Sequence, residues 1–523
     1  MRLRLALCFS VFILSACCET PETALRRGNI AEPSTLDPHR SEGVSSGNVL
    51  RDLFEGLVAE SATGALVPGA SERWEISEDG LTYRFFLRAD GRWSNGDAVV
   101  AEDFVAGIRR TVDPDTRSRY APALSPIVNA KQVNAGDLSV AELGIKALDE
   151  RTVEIQLTQA TPYFLGLLTN SPTYPLHRAS YEAFGEDFAK AGNMVSNGAY
   201  QLIEWRIGDR VTVERNPNYH DAANVNIDRV EFLPIEDTAN ELNLFRAGEL
   251  DITSNSPSGL YSQLTDTYGD RFVVSPNLSV YFIVFDMSEP PFDDVRLREA
   301  LTRAIDRDDM TRVVTGDGQQ GAWGLVPPGV DGYVSFAYPW RDDPRPAQIA
   351  EARALYAQAG MSEASPLEAT LIYNTSDNHK KIAVAVQAML RENLGADIDI
   401  INQEFKVMVE NRSQRGAWDL LRLGWTGDYN DANTFLETFR SDHPQNTSGL
   451  KDPAFDAMLT AANLELDAAK RQTMLREAER HLMLQYPVLP VYFYVSKHLV
   501  SERVAGYTPN IMNRTYSRHL SFR

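Results

Sequence analysis

Between Leu421 and Phe435 the chain reads Leu-Arg-Leu-Gly-Trp-Thr-Gly-Asp-Tyr-Asn-Asp-Ala-Asn-Thr-Phe, and a cation, an indole, two glycines and a carboxylate fall within the seven residues from Arg422 to Asp428. An arginine grips a carboxylate through two parallel charge-assisted hydrogen bonds, and an aspartate accepts from an ammonium group. Together Arg422 and Asp428 can hold a zwitterion. Gly424 and Gly427 leave no side chains on either side of Trp425 and Thr426, so another extended chain can approach and pair with the backbone between them. Main-chain pairing of that kind ignores side-chain identity. The same stretch also fits a glycine-containing turn whose Arg422 and Asp428 are solvated surface charges.

The elements that must position this stretch begin after a leader. Arg2 and Arg4 precede an apolar run from Leu5 to Leu14, which ends in Ser15-Ala16-Cys17. The run falls short of the roughly 20 apolar residues of a spanning helix, so residues 1–16 read as a signal peptide. Small residues running into Cys17 resemble a lipobox, which makes Cys17 the expected lipidation site and 17–26 a lipid-anchored linker. An ordinary signal peptide cut nearby is the alternative. Cys18 follows Cys17 where an aspartate would favour retention in the inner membrane. All three cysteines, Cys8, Cys17 and Cys18, lie in this leader region. A disulfide, a thiolate nucleophile or a cysteine-ligated metal in the folded body is therefore excluded.

The 523 residues carry a formal net charge of −21, which argues against nucleic acid or an anionic membrane surface as a partner. It favours neutral or cationic ligands, or simply solubility. The body is too long for one core, so two or three domains are expected. Tyr83, Phe85 and Leu87, and again Val153, Ile155 and Leu157, alternate with polar residues and predict two half-buried strands. A helix is predicted over 101–111, stopped by Asp113-Pro114-Asp115, with Tyr120 in the loop beyond. A meander follows at 200–205, 211–215 and 230–234, then a helix capped by Asp237 or Thr238 and ended by Gly248, then a strand over 248–252. Asp293 is the expected cap of a helix lined by Leu297, Ala300, Leu301, Ala304 and Ile305. A short strand from Leu371 to Asn374 leads to His379 at the start of a helix reaching about Leu394. Helix 474–483 and strand 488–495 close the second region. Strands alternating with helices predict an α/β fold.

Gly424-Trp-Thr-Gly-Asp-Tyr-Asn430 is similar to the ligand-binding segment of the oligopeptide-binding lipoproteins of ABC importers, in family 5 of the bacterial extracellular solute-binding proteins. The resemblance recurs in order at Leu36-Asp-Pro-His39, Glu42-Gly-Val44, Arg51-Asp-Leu-Phe-Glu-Gly-Leu57, Tyr83-Arg-Phe85, Arg92-Trp-Ser-Asn-Gly96, Asn197-Gly-Ala-Tyr200, Tyr373-Asn-Thr-Ser-Asp377 and Val491-Tyr492. It implies a periplasmic-binding-protein-like, class II fold: two lobes and three subdomains with the ligand cleft between lobes. The implied division is 27–54 with 179–280 and 495–523 as domain I, 55–178 as domain II and 281–494 as domain III. It further implies Asp428 on the ligand's ammonium group, Arg422 and His379 on its carboxylate, and Glu42, Tyr120, Trp425 and the Gly424 and Thr426 backbone along the middle. Short peptides and an inner-membrane permease are the implied partners, with a monomer in the periplasm or cell envelope and no cofactor or metal.

Several positions depart from that pattern. Ser279 and Thr426 stand where some relatives have a disulfide, so the cleft is expected to be held by packing alone. Thr315 stands near an expected lysine, Val284 near an expected acidic pocket residue, and Phe405 at an expected tryptophan. Shorter peptides and altered side-chain preference follow. The rivals are the same fold with a cell-wall peptide, opine or nickel-chelate cargo, a chaperone-like role, and an enzyme. For the enzyme, Ser376-Asp-Asn378 and Ser448-Gly-Leu-Lys451 match two penicillin-recognising motifs, but in reversed order and without Lys-Thr-Gly. No His-Glu-x-x-His or phosphate loop is present.

Overall fold

A computed structural model describes residues 24–412, 414 and 416–523. The leader and Cys17 lie outside the described residues. The first lobe contains two four-stranded sheets that share one core. In one, Leu25–Gly28 pairs in parallel with Arg229–Leu233, which continues antiparallel to Arg210–Arg215 and Tyr200–Arg206. This sheet begins at Leu25, within the segment assigned to the linker. The other sheet runs Ser71–Ile76, Thr82–Leu87, Thr152–Gln156, Ile145–Asp149, antiparallel throughout. Helices Gly43–Leu53 and Ala101–Val112 bury Val49, Leu50 and Leu53, and Phe104, Val105 and Ile108, against it.

Tyr83, Phe85 and Leu87 point inward as their alternation demands. Strand Thr152–Gln156 differs from the half-buried reading. It lies between two neighbours, and its polar face is covered too: Glu154 is buried, 2.7 Å from Arg84 Nε and 3.0 Å from Lys146 Nζ. Residues 248–252 form a turn in place of the expected strand, with only Ile252 bridging Arg27 and Val500. The Asp251 carboxylate accepts from the Arg26 amide at 2.8 Å and from Arg503, so this segment is held through a side chain.

The second lobe is built on a six-stranded mixed sheet in the order Gln320–Gly321, Val488–Leu499, Phe272–Phe285, Leu420–Thr426, Glu368–Asn374, Asp397–Gln403. Both faces are covered over the apolar central strands, while the edge strand Asp397–Gln403 leaves Asp397, Asp399 and Ile401 exposed. One face takes Leu297, Ala300, Leu301 and Ala304 with Ile382, Val386 and Leu390; the other takes Leu475, Ala478 and Leu482. The helix cap expected at Asp293 is its neighbour Asp294, whose carboxylate accepts from the Arg296 amide at 2.9 Å.

Strands Phe272–Phe285 and Val488–Leu499 form an antiparallel ribbon that joins the lobes. Its Phe272 and Leu499 end packs in a small core with Leu242, Phe245 and Leu250, and its other end belongs to the six-stranded sheet. The register breaks between Pro276 and Val280, where proline offers no amide to the ladder and a bulge bends the ribbon. The freed residues are used locally. Asn277 Nδ2 donates to Ser496 Oγ at 2.8 Å, and Ser279 Oγ lies 2.6 Å from Asn277 Oδ1 and 2.8 Å from Thr426 Oγ1. The cleft strand is thus tied to the ribbon by hydroxyls, which corrects the expectation of packing alone.

A second tie crosses between the lobes. Tyr163 stacks on Tyr429 with centroids 4.5 Å apart. Tyr429 Oη donates to Glu437 Oε1 at 3.0 Å and Asn433 Nδ2 to Glu437 Oε2 at 3.2 Å. Burial, reinforced by Asp428 and Asp431 nearby, pushes the Glu437 carboxyl up to about 7 against those hydrogen bonds.

Two outcomes follow from these ties. Ser279 and Thr426 face each other across antiparallel strands, so Ser279→Cys with Thr426→Cys should oxidise to a disulfide and raise stability by about 2–4 kcal/mol; an unchanged Tm under oxidising conditions contradicts the pairing. Glu437 holds its proton more tightly folded than unfolded, so its contribution to stability is present in acid and lost as pH rises through about 7. The Tm of Glu437→Gln relative to the native protein should therefore climb from pH 5.5 to pH 8, and a constant difference would show an ordinary carboxyl.

Candidate functional site

The strand Leu420–Thr426 is paired along its full length with Phe272–Phe285, from Leu420 opposite Phe285 to Thr426 opposite Ser279. On its other side it pairs with Glu368–Asn374 only at Leu420 and Leu421. The sheet splits there. Gly427 N donates to Leu278 O at 2.8 Å, in register with Trp425 opposite Val280. In an antiparallel ladder the groups alternate, so the amides and carbonyls of Gly424 and Thr426 turn the other way, into the opening. Gly424 and Thr426 are exposed there.

At one end of this edge stands Arg422. Its Nη1 donates to Asn374 Oδ1 at 3.2 Å, its Nη2 to Tyr494 Oη at 2.8 Å, and its guanidinium lies 4.4 Å over the Tyr281 ring. Its Nε is buried without a partner. No described carboxylate pairs with it. His379, at the start of helix Asp377–Leu394, sits 5.6 Å from Tyr281, ring to ring, with Nδ1 buried and unpartnered. Burial and then the charge of Arg422 push its pKa down to about 4. His379 is thus neutral at physiological pH, so the cation at this end is Arg422 alone. Asn374, Tyr281 and Tyr494 were not marked as site residues, although Tyr494 shares the face of Tyr492 two residues along the strand.

At the other end, Asp428 faces a cavity of about 320 Å³ between the lobes, lined also by Tyr120, Thr426, Arg51 and Arg514. Its carboxylate has no ion pair or hydrogen bond among the described residues; its amide donates to Thr434 Oγ1 at 3.3 Å and its carbonyl accepts from Arg514 Nη2 at 3.4 Å. The surrounding protein mass raises its pKa, with Arg514 opposing. Burial, Asp428 and Glu42 together raise the Tyr120 phenol, which places the three side chains in one cluster. Glu42, just before helix Gly43–Leu53, is engaged at the rim by Arg119, 3.1 Å away.

Trp425 points to the opposite face from Arg422 and Thr426. It lines a smaller cavity of about 90 Å³ with Phe282, Val284, Leu423, Phe439 and Arg412. The two glycines differ in role. A Cβ on Gly424 would come within 3.0 Å of Val280 O and 3.7 Å of Arg422 Nη2, so glycine leaves room beside the guanidinium. A Cβ on Gly427 would sit 2.5 Å from Leu278 Cδ2, so this glycine serves packing inside the lobe and not approach by a second chain. With Arg422 Nη2 beside Gly424, the two charged anchors are roughly 13 Å apart at about 3.3 Å per residue, the span of an extended tri- or tetrapeptide.

Gly43-Val-Ser-Ser-Gly47 spells the nucleophile pattern Gly-x-Ser-x-Gly, which corrects the expectation that the chain has no such motif. It forms the first turn of helix Gly43–Leu53 with no strand leading into it, unlike the strand-to-helix elbow that exposes a serine nucleophile. Among the described residues no group of three or more His, Cys, Asp or Glu side chains is gathered as a metal site requires.

Residues 65–447 match the family described as bacterial extracellular solute-binding proteins, family 5. The chain is 38% identical over 500 residues to the periplasmic oligopeptide-binding protein OppA of Escherichia coli K12, covering 95% of this chain and 92% of that protein. Among solved structures it is similar to the periplasmic murein tripeptide binding protein MppA in its unliganded open form, with TM-score 0.87, 36% identity and coverage of 96% and 98%. It is also similar to Haemophilus influenzae OppA in complex with the peptide RPPGFSPFR, with TM-score 0.78, 34% identity and coverage of 96% and 99%. With its two lobes and open cleft strand, the chain belongs to family 5 of the bacterial extracellular solute-binding proteins.

Proposed function

We propose that this protein is the extracytoplasmic receptor of an ABC importer, capturing short oligopeptides and delivering them to a membrane permease. One observation carries the reading: a guanidinium and a carboxylate, each without an ionic partner, flank a strand edge whose backbone groups open into the cleft. A zwitterionic extended chain satisfies all three. Asp428 takes the ammonium, Arg422 with neutral His379 takes the carboxylate, and Gly424 and Thr426 pair with the ligand backbone. Tyr120 and Glu42 close over the middle from the first lobe. Residues 281–494 act as one domain, and 27–54, 179–280 and 495–523, with 55–178, make up the other lobe. Closure bends the ribbon near Pro276–Val280, because ligand contacts on both lobes are available together only when the cleft is shut. Cys17 anchors a monomer to the membrane from the periplasmic side. The protein catalyses no reaction in this role.

A cell-wall peptide as cargo is favoured by a separate observation. Among the described residues, the small cavity beside Gly424 and Trp425 has Arg412 as its one charged lining residue, and Val284 stands where the family resemblance implies an acidic one. The rest of the lining is apolar or neutral, with Thr438, Gln445 and Thr447 beside Phe282, Val284 and Phe439, and a guanidinium in such a pocket selects a carboxylate, so an internal acidic side chain fits it.

Calorimetric titration of protein stripped of co-purified ligand, with di- to pentapeptides, tests the main reading. Micromolar or tighter binding should peak at three or four residues and vanish on N-acetylation. Asp428→Asn should weaken that binding at least about tenfold, or roughly 1.4 kcal/mol, and an unchanged affinity removes the ammonium role. For the second reading, replacing an internal glutamine of the best peptide by glutamate should improve affinity, and Arg412→Met should abolish the gain; a gain that survives the substitution refutes the pocket's role.

A further inference from the structure

The interlobe cavity holds another cation that no carboxylate contacts directly among the described residues. Arg51, in the last turn of helix Gly43–Leu53, lines the same cavity as Asp428 and Tyr120. Its Nη2 donates to Asn48 Oδ1 at 2.7 Å, and Asn48 Nδ2 in turn donates to Asn29 Oδ1 at 3.1 Å. Its Nε is buried and unpartnered, and among the described residues no carboxylate pairs with it. The neighbouring Arg514 is better served: Nη1 reaches Glu60 Oε1 at 2.7 Å and Nη2 reaches Asn170 Oδ1 at 2.8 Å. Burial and then the proximity of Arg514 lower the Arg51 pKa, with Tyr516, Tyr174 and Glu60 opposing from a distance.

A desolvated guanidinium with one neutral partner is costly until an anion arrives. The anion must come from what occupies the cavity, and Asp428 on the facing lobe orients the ligand's first residue there. We infer that Arg51 is a specificity-determining residue that receives the carboxylate side chain of an N-terminal aspartate or glutamate. The ammonium and the side-chain carboxylate of that one residue then bridge Asp428 and Arg51, one from each lobe. Val44, Leu124 and Leu167 supply apolar wall for the intervening methylenes, within a volume of about 320 Å³. A planar carboxylate meets a guanidinium through two parallel bonds, which an amide cannot match.

This assignment rests on the peptide-binding reading, and the experiment separates the two. Stripped protein is titrated with Glu-Ala-Ala, Gln-Ala-Ala and Lys-Ala-Ala. Glu-Ala-Ala should bind at least about tenfold tighter than Gln-Ala-Ala, with Lys-Ala-Ala weakest. In Arg51→Met the ratio of the first two should fall to within about twofold. Asn48→Asp, which sets a carboxylate against Arg51 with little change of shape, should lower the ratio in the same way and serves if Arg51→Met does not fold. Equal affinities for Glu-Ala-Ala and Gln-Ala-Ala in the native protein overturn the assignment and leave peptide capture standing. A preference that survives in either folded variant overturns it as well. If no tripeptide binds, both fall.

Discussion

The site depends on a single strand being paired fully on one side and barely on the other. Leu420–Thr426 takes its whole length of support from Phe272–Phe285 and meets Glu368–Asn374 only at its first two residues. An unpaired strand edge is normally a liability in a soluble protein. Here it faces the interlobe opening and carries unneutralised charge at each end. The guanidinium at one end is half-buried, the carboxylate at the other is exposed to the opening, and open backbone groups lie between them, an arrangement complementary to a molecule with oppositely charged ends and a peptide backbone between them.

The rest of the architecture holds that edge in place. The ribbon that crosses between lobes supplies the strand on which the edge is built, and its bulge at 277–279 lies beside the cavity: Asn277 and Leu278 line it, and Ser279 reaches Thr426. The irregular part of the ribbon therefore lies next to the cavity. Each lobe has a core of its own, and Tyr429 of the second lobe also packs into the core of the first. The Tyr163–Tyr429 stack and Glu437 form a contact across the boundary that closure must keep or rearrange.

Much of this was legible in the sequence because local pattern determines it. Alternation at Tyr83, Phe85 and Leu87 and the apolar face of the helix through Leu297 and Leu301 gave those elements correctly, and the motif from Arg422 to Asp428 identified the cleft strand. What escaped has a common cause. Adjacent aspartates at 293 and 294 are equally good caps on paper, and the helix geometry chooses the second. The double burial of Thr152–Gln156 depends on its place in the sheet order, which alternation does not encode. Gly427 is required by contact with Leu278, and the cavity wall unites Arg51 with Arg514. Such meetings of distant segments leave no local signature.

The net charge illustrates the same limit. An excess of 21 negative charges argues for neutral or cationic ligands, yet Arg422 stands at one end of the cleft strand, Arg51 lines the interlobe cavity with Asp428, and Arg412 lines the smaller cavity on the strand's opposite face. The two tendencies act over different distances. Charges spread over the surface are screened beyond about 8 Å at physiological ionic strength, so they modulate approach and contribute little once a ligand is enclosed. Within the cleft, low local dielectric strengthens each contact and makes every unpaired guanidinium expensive. Under the proposed peptide-binding role, selectivity follows from the guanidinium groups whose hydrogen-bond partners are neutral, Arg422 with Asn374 and Tyr494 and Arg51 with Asn48, which favours ligands that carry a carboxylate beyond the one at the chain end.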